Sequence, residues 1–160
     1  MKKNVKQKVL VTGGAGFIGG HLVDALIKRG HEVSVLDNLS AGNKKNVHPK
    51  AKFHRVDICD FKKIRPMFLG VDFVFHLAAI PRVPVSILNP VETSKVNILG
   101  TVNVFKAAAE AKVKRVVFAS SSSVYGNQKT FPLKETMAPN PLSPYALQKL
   151  VGEKAAKLFS

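Results

Sequence analysis

The sequence predicts an α/β fold built on a doubly wound parallel sheet. Three observations carry that expectation. Short apolar runs alternate with longer helical stretches along the whole chain. A glycine-rich segment joins the first run directly to the first helix. And 160 residues, 46% of them hydrophobic and 22% charged, suffice for one domain, residues 1–160, with a full core.

The elements follow in order. Lys8–Thr12 (KVLVT) reads as the first strand, and Phe17–Arg29 as a helix with Ile18, Leu22 and Leu26, stopped by Gly30. Glu32–Leu36 (EVSVL), Lys52–Val56 (KFHRV), Asp72–Leu77 (DFVFHL) and Arg115–Ala119 (RVVFA) read as further strands, each short, β-branched or aromatic, and bounded by turn formers. The near-continuous apolar run in the last predicts burial on both faces. Asn89-Pro90, an N-cap followed by proline, opens a helix to Ala111. Ser143-Pro144 repeats the signal and opens a helix to Phe159, with Leu147, Leu150, Val151, Ala155 and Leu158 on one side. Asp37–Lys50 and Gly126–Leu142 read as surface loops, and no internal repeat or low-complexity tract occurs. Right-handed crossovers between parallel strands then give the strand order 3-2-1-4-5.

Composition excludes several classes. One cysteine, Cys59, leaves no internal disulfide framework and no cysteine-cluster metal site. His21, His31, His48, His54 and His76 show no metal-ligand spacing, so no metal is expected. No apolar run approaches a membrane span, and Val9-Leu10-Val11 is no signal-peptide core, so a reduced, cytoplasmic protein is expected. The net charge of +15 invites a nucleic-acid reading. The basic residues, however, fall in pairs such as Lys44-Lys45 and Lys62-Lys63, without a stripe or interleaved aromatics. A solvated basic surface that tolerates an anionic ligand, and no nucleic-acid partner, is the expectation.

Gly13-x-x-Gly16-x-x-Gly19 lies between the first strand and the first helix. There Gly13 permits a sharp turn, Gly16 a close approach to a pyrophosphate, and Gly19 tight helix–sheet packing, while the amides at the helix start hold phosphates. A plain tight strand–helix turn would also use these glycines. Asp37 ends the second strand, eighteen residues after Gly19, where a carboxylate can accept from both ribose hydroxyls. That favours NAD over NADP, whose 2′-phosphate it would repel, although Lys44 and Lys45 pull the other way. Asp57 at the end of the third strand can accept from an adenine amino group, with the Ile58 amide donating to the ring. It can equally cap the helix that follows.

Tyr145 and Lys149 form Y-x-x-x-K, which places both on one helix face. A neighbouring ammonium favours the phenolate, so the pair can take a proton from a sugar hydroxyl as hydride leaves the same carbon. Four consecutive serines, Ser120–Ser123, leave the end of the fifth strand, where open sheets bind ligands. Their hydroxyls can bond the reacting oxygen or simply form a polar turn.

Taken together, TGGAGFIG, Asp37-Asn38-Leu39, Asp57-Ile58, His76-Leu77-Ala78-Ala79, Asn97, SSSSVYG and YxxxK resemble, in order, the NAD-dependent epimerase/dehydratase family of extended short-chain dehydrogenases/reductases. The resemblance spans nearly the whole chain and implies a Rossmann-type domain. It implies cofactor contacts at Gly13, Gly16, Phe17, Ile18, Gly19, Asp37, Asn38, Asp57, Ile58, Leu77, Ala78, Ala79, Asn97, Tyr145 and Lys149. Asn97 is similar to an asparagine that holds the loop near the cofactor. Tyr145 and Lys149 match the catalytic base and its partner, and the active serine falls on Ser121, with Ser122 as the alternative.

Family 4,6-dehydratases place Thr-Asp-Glu before V-Y-G, whereas this chain has Ser121-Ser122-Ser123, without a carboxylate. The resemblance therefore implies a UDP-sugar 4-epimerase with transient hydride transfer at sugar carbon 4. The segment Ile80–Ser86 is more similar to epimerases of N-acetylated UDP-sugars. Family members extend well beyond the equivalent of Ser160, so a truncation before the C-terminal substrate lobe is expected. An NAD-binding module without turnover, or another dehydratase or reductase of the family, are the alternatives. In the family the two long helices, here 89–111 and 143–159, pair across a two-fold axis, which implies a homodimer.

Overall fold

The computed structural model describes residues 5–159. Five strands form one parallel sheet: β1 (Lys8–Thr12), β2 (Glu32–Asp37), β3 (Lys52–Arg55), β4 (Phe73–His76) and β5 (Arg115–Phe118), in the order β3-β2-β1-β4-β5. This is the expected doubly wound topology. Side chains alternate along β1 and β2, and the alternation sorts the core into two layers. Val9, Val11, Val33 and Val35 pack with Val23 and Leu26 of α1 (Phe17–Lys28). Leu10, Leu36 and Val74 pack on the other face with Ile64, Phe68, Val104, Ala107 and Ala108. These come from α2 (Phe61–Ile64), a 3₁₀ turn at Arg65–Phe68, and α5 (Thr101–Glu110).

Helix α1 ends as the sequence signals. Gly30 has φ +88°, the His31 amide donates to Leu26 and the Gly30 amide to Ile27, a Schellman closure that needs a left-handed residue. Ser143 likewise caps α6 (Pro144–Leu158), its hydroxyl accepting from the Ala146 amide.

Four local expectations are corrected. The predicted 89–111 helix is α4 (Pro90–Ser94), a π turn over Lys95–Gly100, and then α5. The π turn places Gly100 against Ile58, where an added Cβ would lie 2.7 Å from its Cδ1, so a side chain there would require Ile58 to shift. Asn89 makes no side-chain cap, because it also ends α3 (Val83–Leu88), a short helix that the prolines of the Ile80–Ser86 segment conceal. Strand β5 is not buried on both faces: Val117 is 44% exposed, since β5 lies at the edge of this sheet with β4 as its neighbour. The capping alternative for Asp57 is overturned as well, because Asp60 accepts from the Lys63 amide and caps α2.

Candidate active site

A cleft of about 550 Å³ runs along the carboxyl ends of the strands. Gly13 turns the chain at the end of β1 with φ +72°, and its amide donates to Leu36, pinning the turn to β2. Its Cα faces the segment after β4, where an added Cβ would lie 2.7 Å from the Ala78 nitrogen. On Gly19 a Cβ would meet the Gly13 carbonyl at 2.2 Å, so the helix sits this close to the turn only because residue 19 is glycine. Helix α1 starts at Phe17 with no side-chain cap, which leaves the amides of its first turn for an anion. Asp37 closes this end. One carboxylate oxygen accepts from the Ala15 amide at 3.0 Å and the other from Leu39 at 2.8 Å, so its orientation is set by backbone.

The chain's donor set fits a dinucleotide. Gly16 has the Gly13 oxygen as its nearest obstruction at 3.2 Å, so a side chain there would project into the cleft that Gly16 lines. Asp57 accepts from Asn38 Nδ2 at 3.1 Å and from the Cys59 amide at 2.8 Å. Burial raises its carboxyl, but those two donors, together with the Cys59 thiol and the Lys95 charge, outweigh burial and the net shift is downward. Lys44 stands 5.9 Å from the Phe53 ring centroid.

At the other end of the cleft, Tyr145 and Lys149 stand on the first two turns of α6. Lys149 is 4% exposed, its Nζ donates to the Ala119 carbonyl at 2.9 Å, and it lies 4.9 Å from the Phe118 ring centroid and 5.9 Å from that of Tyr145. Burial pushes its pKa down to about 8. Gly152 lets α6 sit against Phe118, where a Cβ would meet Cζ at 2.5 Å.

Two buried networks hold this end together. In the first, the Ala78 amide donates to Thr12 Oγ1 (3.3 Å), which lies 2.7 Å from His76 Nδ1; His76 Nε2 lies 3.0 Å from Thr101 Oγ1, which donates to the Asn97 carbonyl (2.8 Å). Because the Thr101 hydroxyl proton is committed to Asn97, Nε2 carries the imidazole proton and Nδ1 accepts from Thr12. Burial, and then the Lys149 charge, push the His76 pKa down to about 3, so the ring is neutral. In the second, Asn97 bonds both backbone groups of Ile80 (2.8 and 3.0 Å) and donates to Gln148 Oε1 at 2.8 Å. Ser86 accepts from the Tyr145 amide at 3.0 Å and donates to the Val83 carbonyl.

The cleft thus gathers Gly13, Gly16, Phe17, Ile18, Gly19, Asp37, Asn38, Asp57, Ile58, Leu77, Ala78, Ala79, Tyr145 and Lys149. Asn97 stands behind it, acting through Ile80, which lines it. Ser121 and Ser122 do not line it. Ser121 caps a 3₁₀ turn over Ser122–Tyr125, with its Oγ accepting from the Ser123 amide and hydroxyl. Ser120 does line it and bonds Glu153. Ser120 is among the four serines that the sequence singles out but is not the one preferred there; sequence reasoning missed Ser86, Gln148 and the Thr12–His76–Thr101 relay. Only Gln148 carried a signal, as a polar residue one step before Lys149 on a helix.

Elsewhere, a shallower cavity of about 390 Å³ between α1 and residues 44–49 holds His21, His48, Asp24 and Lys45. Among the described residues no group of three His, Cys, Asp or Glu side chains is arranged to hold a metal ion, and no helix is long and apolar enough to cross a membrane.

Comparison with known proteins agrees with this geometry. Residues 9–160 match the NAD dependent epimerase/dehydratase family. A UDP-glucose 4-epimerase of Lactobacillus helveticus is 42% identical over 149 residues, covering 92% of this chain and 45% of that protein. The crystal structure of a UDP-glucose 4-epimerase from Thermotoga maritima with UDP-glucose superposes with a TM-score of 0.92 at 40% identity, covering 95% of this chain and 50% of that one. A UDP-N-acetylglucosamine 4-epimerase from Methanobrevibacter ruminantium, in complex with UDP-N-acetylmuramic acid, gives 0.91 at 40% identity, over 96% and 50%. The chain spans about half the length of these relatives.

Proposed function

The chain belongs to the NAD dependent epimerase/dehydratase family, and from that premise we propose that it forms the cofactor-binding and proton-transfer half of a UDP-sugar 4-epimerase. The observation that carries this reading is a single cleft with the glycine turn and Asp37 at one end and Tyr145 with Lys149 at the other. NAD bound there supplies a reversible hydride acceptor. The α1 amides hold its phosphates, Asp37 its adenosine ribose, and Asp57 with Ile58 its adenine. Tyr145 takes the proton from the hydroxyl at sugar carbon 4 and returns it once the ketone has presented its other face. Lys149, desolvated beside the Tyr145 ring, stabilises the phenolate during that exchange. Ser120, which lines the same cleft as the proton-transfer pair, and Ser121, one residue along, are the serines whose hydroxyls would bond the reacting oxygen.

Dehydration needs an acid at the reacting end. Among the described residues the lining there, from Ala119 and Ser120 to Tyr145 and Lys149, has no carboxylate; the lining carboxylates are Asp37 and Asp57 at the adenosine end. That supports epimerisation over elimination. Val91, Leu99 and Leu147 are at least half exposed on the 89–111 and 143–159 helices, which supports pairing with a second copy along those helices.

Calorimetric titration with NAD and NADP, followed by incubation with NAD and UDP-glucose or UDP-N-acetylglucosamine, tests the reading. NAD is expected to bind more tightly than NADP, and Asp37→Ala to weaken NAD by about tenfold, the loss of a charge-assisted bond. Any interconversion of 4-epimers should fall about a hundredfold to ten-thousandfold in Tyr145→Phe with NAD affinity kept. NADP binding better than NAD would reject the cofactor assignment, and interconversion that survives Tyr145→Phe would reject the proton-transfer pair.

A further inference from the structure

We propose that Gln148 is a positioning residue that sets the cofactor loop after β4 from behind, acting through Asn97. The proposal rests on reading the cleft as an NAD site. Gln148 precedes Lys149 on α6, yet its side chain is turned away from the cleft and is 2% exposed. Its Nε2 donates to Thr93 Oγ1 at 2.9 Å and Ser94 Oγ at 3.1 Å, both on α4. Its Oε1 accepts the one Asn97 Nδ2 proton that the Ile80 carbonyl does not take.

Each atom in this chain has one assignment. Asn97 Oδ1 must face the Ile80 amide, since the Asn97 nitrogen has its two acceptors in Ile80 and Gln148. No buried side-chain polar atom among the described residues lacks a partner, so Gln148 belongs to a fully satisfied network. Without it, Asn97 is free to rotate toward other partners, and the Ile80 backbone, which lines the cleft, loses its clamp. Gln148 therefore links the helix that carries Tyr145 and Lys149 to the loop that contacts the cofactor. Arg82, two residues after Ile80, has φ +86°, so this loop is held in a backbone conformation that it would relax from if released.

The test compares Gln148→Met, close in volume and without an acceptor, with Thr93→Val, which removes one Gln148 acceptor and leaves the Asn97 arm and Ser94 intact. Two readouts are used: NAD affinity by calorimetry and amide exchange at Ile80 by NMR. Gln148→Met is expected to bind NAD about threefold to tenfold more weakly, the worth of one buried bond, and to exchange the Ile80 amide faster. Thr93→Val should stay within about twofold of the parent in both. Should Gln148→Met fail to fold, Gln148→Glu carries the test, since it keeps an oxygen toward Asn97 and should retain the Ile80 protection. Equal losses in Gln148→Met and Thr93→Val, or parent-like Ile80 exchange in Gln148→Met, overturn the proposal. A parent chain that binds no NAD rejects the reading of the cleft, and the Ile80 exchange then still decides whether Gln148 holds the loop.

Discussion

The two ends of the cleft are built in different ways. At the glycine turn the parts are backbone: a left-handed Gly13, a helix start without a side-chain cap, and an Asp37 held by the amides of Ala15 and Leu39. At the Tyr145 end they are buried side chains reaching across the fold: Thr12 to His76 to Thr101, and Ile80 to Asn97 to Gln148 to Thr93. A turn packed backbone to backbone tolerates little steric change, because no side chain there can move aside. A network of buried titratable and amide groups tolerates shape changes that keep its bonds, and it is sensitive to protonation.

The sharpest way to break the first region is Gly19→Ala. The new Cβ has to displace the Gly13 carbonyl, and overpacking against backbone costs about 1–3 kcal/mol or more. The urea midpoint should fall with its slope unchanged, at pH 7 and pH 5 alike. A variant as stable as its parent would mean that the turn yields easily and is less rigid than the geometry describes.

Acid breaks the second region. The folded-state pKa of His76 lies near 3, below the ordinary 6.5, so the unfolded chain takes the proton first. The His76 contribution is complete above pH 6.5 and is lost as pH falls toward 3, at up to about 1.4 kcal/mol per pH unit. Stability measured between pH 7 and 5 should decline, and His76→Gln should remove most of that decline while lowering stability at pH 7. An unchanged slope in His76→Gln would place the acid sensitivity elsewhere.

The smallest expected effect concerns Lys149. With its pKa near 8, below the ordinary 10.5, the buried ammonium opposes folding below pH 8, and the penalty fades as pH rises from 8 to 10.5. Lys149→Met should therefore stabilise the chain by about 1 kcal/mol at pH 7, after the lost bond to Ala119 is counted, and by less at pH 10. Destabilisation at both pH values would show that the Ala119 bond outweighs the burial of the charge.

The sequence by itself determined the sheet order, the glycine turn, Asp37 at the end of β2, the α1 and α6 termini, and the Y-x-x-x-K face. The sheet order follows from the strand–helix alternation along the chain and the right-handed crossover rule, and each of the others depends on residues within a few positions of one another, where steric rules and helix and strand periods act. Tertiary structure alone decided the rest. The π turn before Gly100 comes with the close approach of that glycine to Ile58, the exposure of Val117 follows from β5 lying at the sheet edge, and the choice of Ser120 over its neighbours on the lining from how the chain leaves that strand. Gln148 and Asn97 stand 51 residues apart, and Thr12 and His76 64 apart. Glutamine, threonine and histidine each satisfy a buried partner as readily as they face water, so only the partner brought across the fold decides which.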